Sequence, residues 1–529
     1  MIVVALLYFV VALWLSCYSL NALLLALLAW RVGHRPPSPR PPTPERWPAV
    51  LVQLPIYNEK YVATRLIDAI CALDYPAERL SIQLLDDSTD ETVRLVACRV
   101  QRWRKRGFDI VHLRRPDRRD FKAGALQFGL GQSDAPFVAI FDADFVPPTD
   151  WLKRTMRHLL ADEAAEIGMM QTRWGHLNRD YSPLTAAQAL ALDGHFGVEQ
   201  RARAAGGLLL NFNGTAGIWR RACIEQAGGW RGDSLCEDLD LSYRAQLRGW
   251  RMGYDPAIVA PAEIPVQLTA FKRQQYRWAK GSMQVARLRL AALWRSPLAW
   301  WQKAQATLHL TAYMVHPLMV LLLLLTPLLL WQGWPAPLAD QAALLGGTSL
   351  AGLSAPLLYA LAQLRLHGAR RGLRHYRAMP WLVMLGAGIA LNNSRAVIEG
   401  LFGKRGGEFR RTPKFRVEGE RSTWQQRDYT LPVTWDTIGE LLLAAYALGA
   451  CVIAIVQRQW FALPYMALYL AAFGGVAGVA LWQRRAIAQR SSGRTWGRFE
   501  RSNEKQSEIE NYPVSTLIYK VGAKETAKK

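Results

Sequence analysis

The sequence predicts an α/β domain with a doubly wound, mostly parallel sheet, inserted into an α-helical membrane-spanning region. Three observations carry that prediction. Residues 1–30 contain no charged side chain, and long apolar runs return after Trp301, so helices of bilayer length flank a segment of ordinary globular composition. Inside that segment, short apolar strands alternate with helical patterns, the signature of βαβ units. Two of the strands end in carboxylates, at Asp86–Asp87 and at Asp142 and Asp144, the edge where such sheets bind ligands.

The chain has 529 residues, 51% of them hydrophobic, and a formal charge of +23. A charge of that sign raises nucleic acid as a partner. Its arginines, however, crowd the flanks of apolar runs, at Arg31, Arg35 and Arg40 and over 365–377, 404–416 and 484–501. Membrane topology and attraction to anionic lipid explain that placement, and no zinc-finger spacing or basic helix–turn–helix pattern supports nucleic acid. The six cysteines show no paired spacing, which fits a reduced cytosolic domain and neither a disulfide framework nor a zinc site. The N-terminal run lacks a basic start and a small-x-small exit, so it reads as a retained anchor rather than a signal peptide. With arginines only after it, its N-terminus lies outside and the next domain in the cytosol.

In order, the expected organisation is an anchor helix over 1–30, a basic proline-rich linker over 31–48, and the catalytic domain over 49–285. An amphipathic interfacial helix over 286–304 and a membrane region over 305–483 follow, and residues 484–529 form a polar, flexible tail. Spans are expected near 305–331, 341–364, 437–457 and 461–482. The run 379–402 is different. If it crossed the bilayer, one of two basic loops would face outward, and Gly386, Gly388 and Asn392 to Arg395 suit a lipid-facing helix poorly. It is therefore predicted to be interfacial or re-entrant, leaving five true spans.

Within the domain, residues 49–55 form a strand, followed by a helix to about Leu73. Residues 81–87 form a second strand, with Ser88, Thr89 and Asp90 as a capping cluster. The next helix has apolar positions at Val93, Val96, Val100 and Trp103. Residues 109–113 form a third strand, and Phe121 opens another helix. The stretch Phe137 to Phe145 reads as the central buried strand. Alternation along it points Asp142 and Asp144 one way and Ala143 the other. Two such carboxylates repel without a cation, and hard oxygen ligands at this edge suit Mg²⁺ or Mn²⁺ holding a diphosphate. Alone, an Asp-x-Asp is a weak signal, as common in a solvated turn.

It does not stand alone. In order come Gln53-Leu-Pro-Ile-Tyr-Asn-Glu59, Asp86-Asp-Ser-Thr-Asp-Glu91, Phe121-Lys-Ala-Gly-Ala125, Asp142-Ala-Asp144, Gln171-Thr-Arg-Trp174, Asn213-Gly-Thr-Ala-Gly217, Glu237-Asp238 and Gln274-Gln-Tyr-Arg-Trp278. This ordered set resembles the processive family 2 glycosyltransferases of the GT-A (Rossmann-like) fold, and within them the cellulose-synthase-like mannan and glucan synthases. The match covers roughly residues 50–285.

The resemblance assigns roles to individual residues. Asp142 and Asp144 hold the metal. Lys122, Arg277 and that cation neutralise the departing diphosphate. Asp86 and Asp87 meet the base and ribose, Pro55 and Tyr57 flank the base, and Glu59 belongs to the same nucleotide-sugar site. Asp238 is the general base that takes the acceptor's proton, with Glu237 beside it. Simple capping explains an acid at a helix start, yet capping needs only one of the two. Trp278 offers a face for a sugar ring and Gln274 hydrogen-bonds hydroxyls, with Trp174 and Asn213 as further acceptor-side residues. His195 and Glu199 read as structural. Residues 406–415 resemble the loop that folds over the donor site in these synthases.

The function implied is an inverting, metal-dependent membrane glycosyltransferase. It draws on UDP-glucose or GDP-mannose and extends a β-linked polysaccharide of β-1,4-glucan or mannan type. It passes the chain outward across the plasma (inner) membrane between its spans, where His309, Tyr313, His316 and Tyr359 read as packing before path lining. The alternatives are a one-sugar transferase making a glycolipid, or a catalytically silent channel or scaffold subunit.

Overall fold

The computed structural model describes residues 2–33, 41–162, 164–332, 352–417, 424–425 and 427–492. Its centre is a seven-stranded sheet in the order β3-β2-β1-β4-β6-β5-β7. The strands are β1 (Val50–Ile56), β2 (Leu80–Asp86), β3 (Asp109–Leu113), β4 (Phe137–Ile140), β5 (Ile167–His176), β6 (Gly217–Arg220) and β7 (Arg251–Ala262). β1 pairs in parallel with both β2 and β4, so the winding reverses between β1 and β4 and opens a crevice at their carboxyl ends. One apolar layer joins that sheet to α2 (Ala63–Cys71), α3 (Thr92–Arg104) and α5 (Trp151–Leu160). The opposite face is covered by α4 (Phe121–Leu130), α8 (Arg221–Gln226) and α9 (Glu237–Gln246). Helices on both faces leave β1 buried on both sides, which is why it reads as an almost continuous apolar run. Its one polar residue, Gln53, donates to Gln83 Oε1 (3.1 Å) and to the Leu126 carbonyl (3.2 Å), tying two strands to α4.

Two differences from the expected sheet matter. β6 runs antiparallel to β4 and β5, so the sheet is mixed. The chain arrives by α6 (Pro183–Gly194) and α7 (Gln200–Ala205), crosses the carboxyl end of β4 over Asn211–Ala216, and must leave away from the crevice. There the Ala216 N–H donates to the Ile140 carbonyl (2.8 Å). The central strand also ends at Ile140, five residues before the predicted limit, so Asp142 and Asp144 stand on the turn beyond β4.

Among the described residues around this domain, four helical stretches are long and apolar enough to cross a membrane, namely Ile2–Val32, Ala312–Gln332, Asp436–Val456 and Leu463–Ala488. They belong to α1 (Ile2–Gly33), α12 (Val315–Gln332), α16 (Asp436–Val456) and α17 (Leu463–Ser492). Exposed apolar side chains such as Val3, Leu442 and Val456 face outward on them, a surface stable only against lipid. The run 379–402 forms α14 (Met379–Gly388) and α15 (Ala390–Phe402), bent by 49°, a broken span or a re-entrant loop. Asn392 and Asn393 on α15 are buried in protein rather than lipid, Asn393 donating to His316 Nε2 (2.9 Å). The span expected over 341–364 is described only from residue 352, where α13 (Ser354–Tyr376) is interrupted at Gly368. The tail beyond residue 492 lies outside the described residues. The stretch 286–304 is not one helix. α10 (Leu268–Arg295) continues unbroken from the Gln-Gln-x-Arg-Trp motif, and α11 (Trp300–Leu310) begins after Pro297 prevents its continuation. A fully buried ion pair, Lys272 to Glu440 at 2.5 Å, clamps α10 to α16.

Candidate active site

One cleft at the carboxyl ends of β1 and β4 collects Pro55, Tyr57, Glu59, Asp87, Lys122, Asp142, Asp144, Trp174, Asn213, Glu237, Asp238, Gln274, Arg277 and Trp278. Of the residues predicted for the site, Asp86 is the exception. It is 1% exposed and lies beneath the floor, where Oδ1 accepts the Ser88 N–H (2.9 Å) and Oδ2 meets His112 Nε2 (2.8 Å). Because β2 ends between the two acids, only Asp87 reaches the cleft. There it is gripped by Arg115, whose Nε donates to Oδ1 (3.0 Å) and Nη2 to Oδ2 (2.5 Å).

Lys122, in the first turn of α4, sits among three acids. Its Nζ donates to Asp142 Oδ1 (2.6 Å) and to the Gly214 carbonyl (2.8 Å). Burial acts to discharge it, but Asp142, Glu237 and Asp238 outweigh burial and hold the ammonium charged. Two glycines make this approach possible. A Cβ on Gly124 would stand 2.2 Å from the Arg119 carbonyl and 2.6 Å from Arg115 Nη1. One on Gly214, whose φ is +82°, would stand 2.8 Å from Asp238 Oδ2. Asp238, at the start of α9, is pushed up to about 7 by burial and by the neighbouring charge of Glu237, with Lys122 opposing. A carboxyl poised there exchanges protons near neutrality, as a general base requires. His195 joins Glu199 (2.9 Å) to Asn213 Oδ1 (2.9 Å), orienting Asn213 toward the cleft as a structural partner.

The cleft's other wall is the stretch that resembles a donor-site loop in sequence, although the resemblance assigned no partners to its residues. Lys414 Nζ donates to Asp144 Oδ2 (2.5 Å) and to the Glu263 carbonyl (2.7 Å), and the Phe415 N–H donates to Glu263 Oε1 (2.8 Å). Arg411 Nη1 stands 3.2 Å from Glu59 Oε2, within ion-pair range but without an aligned hydrogen bond. Glu59 is pushed up to about 8, chiefly by burial. Arg277 lies over the Phe409 ring, 4.3 Å from its centre. Residues 406–417, resembling a lid in sequence, thus lie in the cleft with their cations against its acids. Glu263, His176 and Arg118 also line it, and none of them belongs to a motif noted in the sequence.

Among the described residues, no three acids, histidines or cysteines stand together as a complete metal cage. The donor chemistry nonetheless fits a hard divalent cation. Mg²⁺-type ions are usually held by one or two carboxylates plus substrate phosphates, and Asp142 and Asp144 supply two, each now balanced by a lysine.

Residues 48–281 match the family described as glycosyltransferase like family 2. Over 262 residues the chain is 42% identical to glucomannan 4-beta-mannosyltransferase 2 of Arabidopsis thaliana, covering 49% of each chain. Over 241 residues it is 41% identical to glucomannan 4-beta-mannosyltransferase 1 of Cyamopsis tetragonoloba, covering 45% of each. The chain thus spans about half the length of the curated relatives it matches. A mannosyltransferase from Pyrobaculum calidifontis, solved with GDP-Man and Mn²⁺, shares the fold. Its TM-score is 0.50 at 22% identity, over 75% of this chain and 100% of that one. Residues 48–281 are thus similar to glycosyltransferase like family 2, and the chain is similar in sequence to glucomannan 4-beta-mannosyltransferases.

Proposed function

We propose that this chain transfers hexosyl units, mannosyl from GDP-mannose in the first place, onto a growing β-linked polysaccharide that leaves between its apolar helices. The observation that carries this reading is the position of Asp238. It faces Lys122 and Asp142 across the same cleft that holds Gln274, Arg277 and Trp278. The names of the relatives, glucomannan mannosyltransferases, and the GDP-Man bound by the Pyrobaculum enzyme favour mannose over glucose.

In this mechanism the acceptor hydroxyl gives its proton to Asp238 as its oxygen attacks the anomeric carbon. The bond from that carbon to the diphosphate breaks on the opposite side, so an α-linked donor yields a β-linked product in one displacement. Lys122 and Arg277 meet the charge that grows on the leaving diphosphate. A divalent cation held by Asp142 and Asp144 supplies further charge neutralisation when bound. Trp278 and Gln274 fix the terminal acceptor sugar, and α10 carries them directly into the membrane helices through the Lys272–Glu440 pair. The catalytic domain then faces the cytosol and the chain resides in the plasma membrane. Purified protein given GDP-mannose or UDP-glucose with Mn²⁺ tests this. Long β-linked product and its loss in Asp238→Asn, with nucleotide binding retained, are expected. A product of one added sugar on lipid overturns the polymer, and full activity in Asp238→Asn overturns the base.

A further inference from the structure

We infer that Arg118 reads the nucleobase of the donor, and that the base it fits is guanine; this rests on the cleft being a nucleotide-sugar site, as proposed above. The nucleoside end of the cleft is the end at Tyr57 and Asp87, because Lys122, which meets the diphosphate, and Asp142, which would hold its cation, occupy the reversal point between β1 and β4. At that end, the Arg118 guanidinium carbon lies over the Tyr57 ring, 3.4 Å from its centre, and 4.8 Å from the centre of Phe121. Stacking fixes its plane without using its donors, and its Nε is buried without a hydrogen-bond partner. A buried donor left unmet is costly, and a bound acceptor relieves the cost.

The neighbouring groups decide what that acceptor is. The carboxylates that suit a base's N–H groups are already engaged, Asp87 bidentately by Arg115 and Asp86 by His112 and Ser88. Asn58 is turned to Thr89, accepting its N–H at 2.8 Å. What remains on offer is a planar fork of N–H donors. Of the common purines only guanine presents two acceptors side by side, O6 and N7, whereas adenine sets a donor beside N7. Uracil separates its carbonyls with an N–H, and cytosine, whose O2 and N3 are adjacent, is the competitor the test includes. Arg118 is therefore a specificity-determining residue, distinct from Arg115, whose donors are taken up by Asp87 and by the Arg119 and Phe121 carbonyls.

The test is binding of nucleoside diphosphates to the purified full-length protein with Mn²⁺, by calorimetry. GDP and IDP, which share O6 and N7, are expected to bind roughly tenfold or more tightly than ADP, UDP and CDP. A preference for CDP, whose O2 and N3 also form an acceptor pair, would overturn guanine. 7-Deaza-GDP, lacking the N7 acceptor, should lose most of that advantage on the unaltered protein, so no variant need fold for this arm. Arg118→Lys and Arg118→Met should reduce GDP to the level of ADP and UDP, leave those two unchanged, and abolish the difference between GDP and 7-deaza-GDP. Equal weakening of all three nucleotides in the variants would mean that Arg118 serves only the phosphates and overturns the inference. Unchanged GDP affinity, or a preference of the unaltered protein for UDP, overturns it as well. If no nucleotide binds at all, the donor-site reading itself fails, a result distinct from binding without base preference.

Discussion

The acid limb of the pH–rate profile should move upward when Lys122 is replaced by Met. Asp238 Oδ2 and Lys122 Nζ lie 2.8 and 3.4 Å from one point, the place a Gly214 Cβ would occupy, so they stand no more than about 6 Å apart. At an effective dielectric of about 20 and that separation, the pair is worth about 2–3 kcal/mol, or about two pH units, and water admitted by the smaller side chain lowers the figure. The sign follows from charge. Lys122 favours the Asp238 carboxylate, so its loss makes that carboxyl harder to ionise. A base must be ionised, so sugar transfer in the unaltered protein rises through about pH 7 and levels above it. In Lys122→Met the limb should rise by about one to two pH units, and the plateau should fall roughly a hundredfold as the diphosphate loses its counter-charge. The assay is kcat/KM for transfer across pH 5 to 10 at one fixed divalent concentration. A lower plateau with the limb in its old place would refute the coupling, because loss of phosphate binding alone does not move a limb.

Three other perturbations follow from the same geometry. Gly214→Ala places a methyl group 2.8 Å from Asp238 Oδ2 at φ +82°, so turnover should fall roughly a hundredfold while nucleotide affinity, read by calorimetry, stays within about twofold. Lys414→Met removes the cation now on Asp144, so Mn²⁺ binding without nucleotide, followed by the electron spin resonance of free Mn²⁺, should tighten. Unchanged Mn²⁺ affinity would mean that loop and metal do not compete. Glu440→Gln strands Lys272 inside the protein at a cost of about 3–5 kcal/mol, seen as a lowered Tm in detergent. The double change Lys272→Met, Glu440→Leu should recover most of it, and additive losses would deny the pair.

The contacts of the loop with the cleft bear on how the site works. Lys414 on Asp144 and Arg411 by Glu59 place two positive charges where acids would otherwise face one another. These contacts keep the acids compatible with one another, and nucleotide with its cation offers them alternative partners. Deleting 406–415 should then lower turnover.

Much of this protein was legible from its residues alone, because local patterns report local physics. The alternation of strands and helices from Val50 to Ile140, the bilayer-length apolar runs and the carboxylates at strand ends each depend on neighbours a few positions away. Motif order added which side chains share the cleft, and Asp87, Lys122, Asp142, Asp144 and Asp238 do so. Tertiary structure alone decided the rest. That Asp86 is floor and Asp87 wall depends on where β2 stops, a matter of one residue and one face. The antiparallel course of β6 depends on the route taken by α6 and α7. The partners of Asp144 and Glu59 lie 270 and 352 positions away along the chain, and only the packing of helices above the sheet brings Lys414 and Arg411 to them. A single sequence encodes such pairings without displaying them, since charge and hydrophobicity read along a chain carry no record of which distant segments the fold will set face to face.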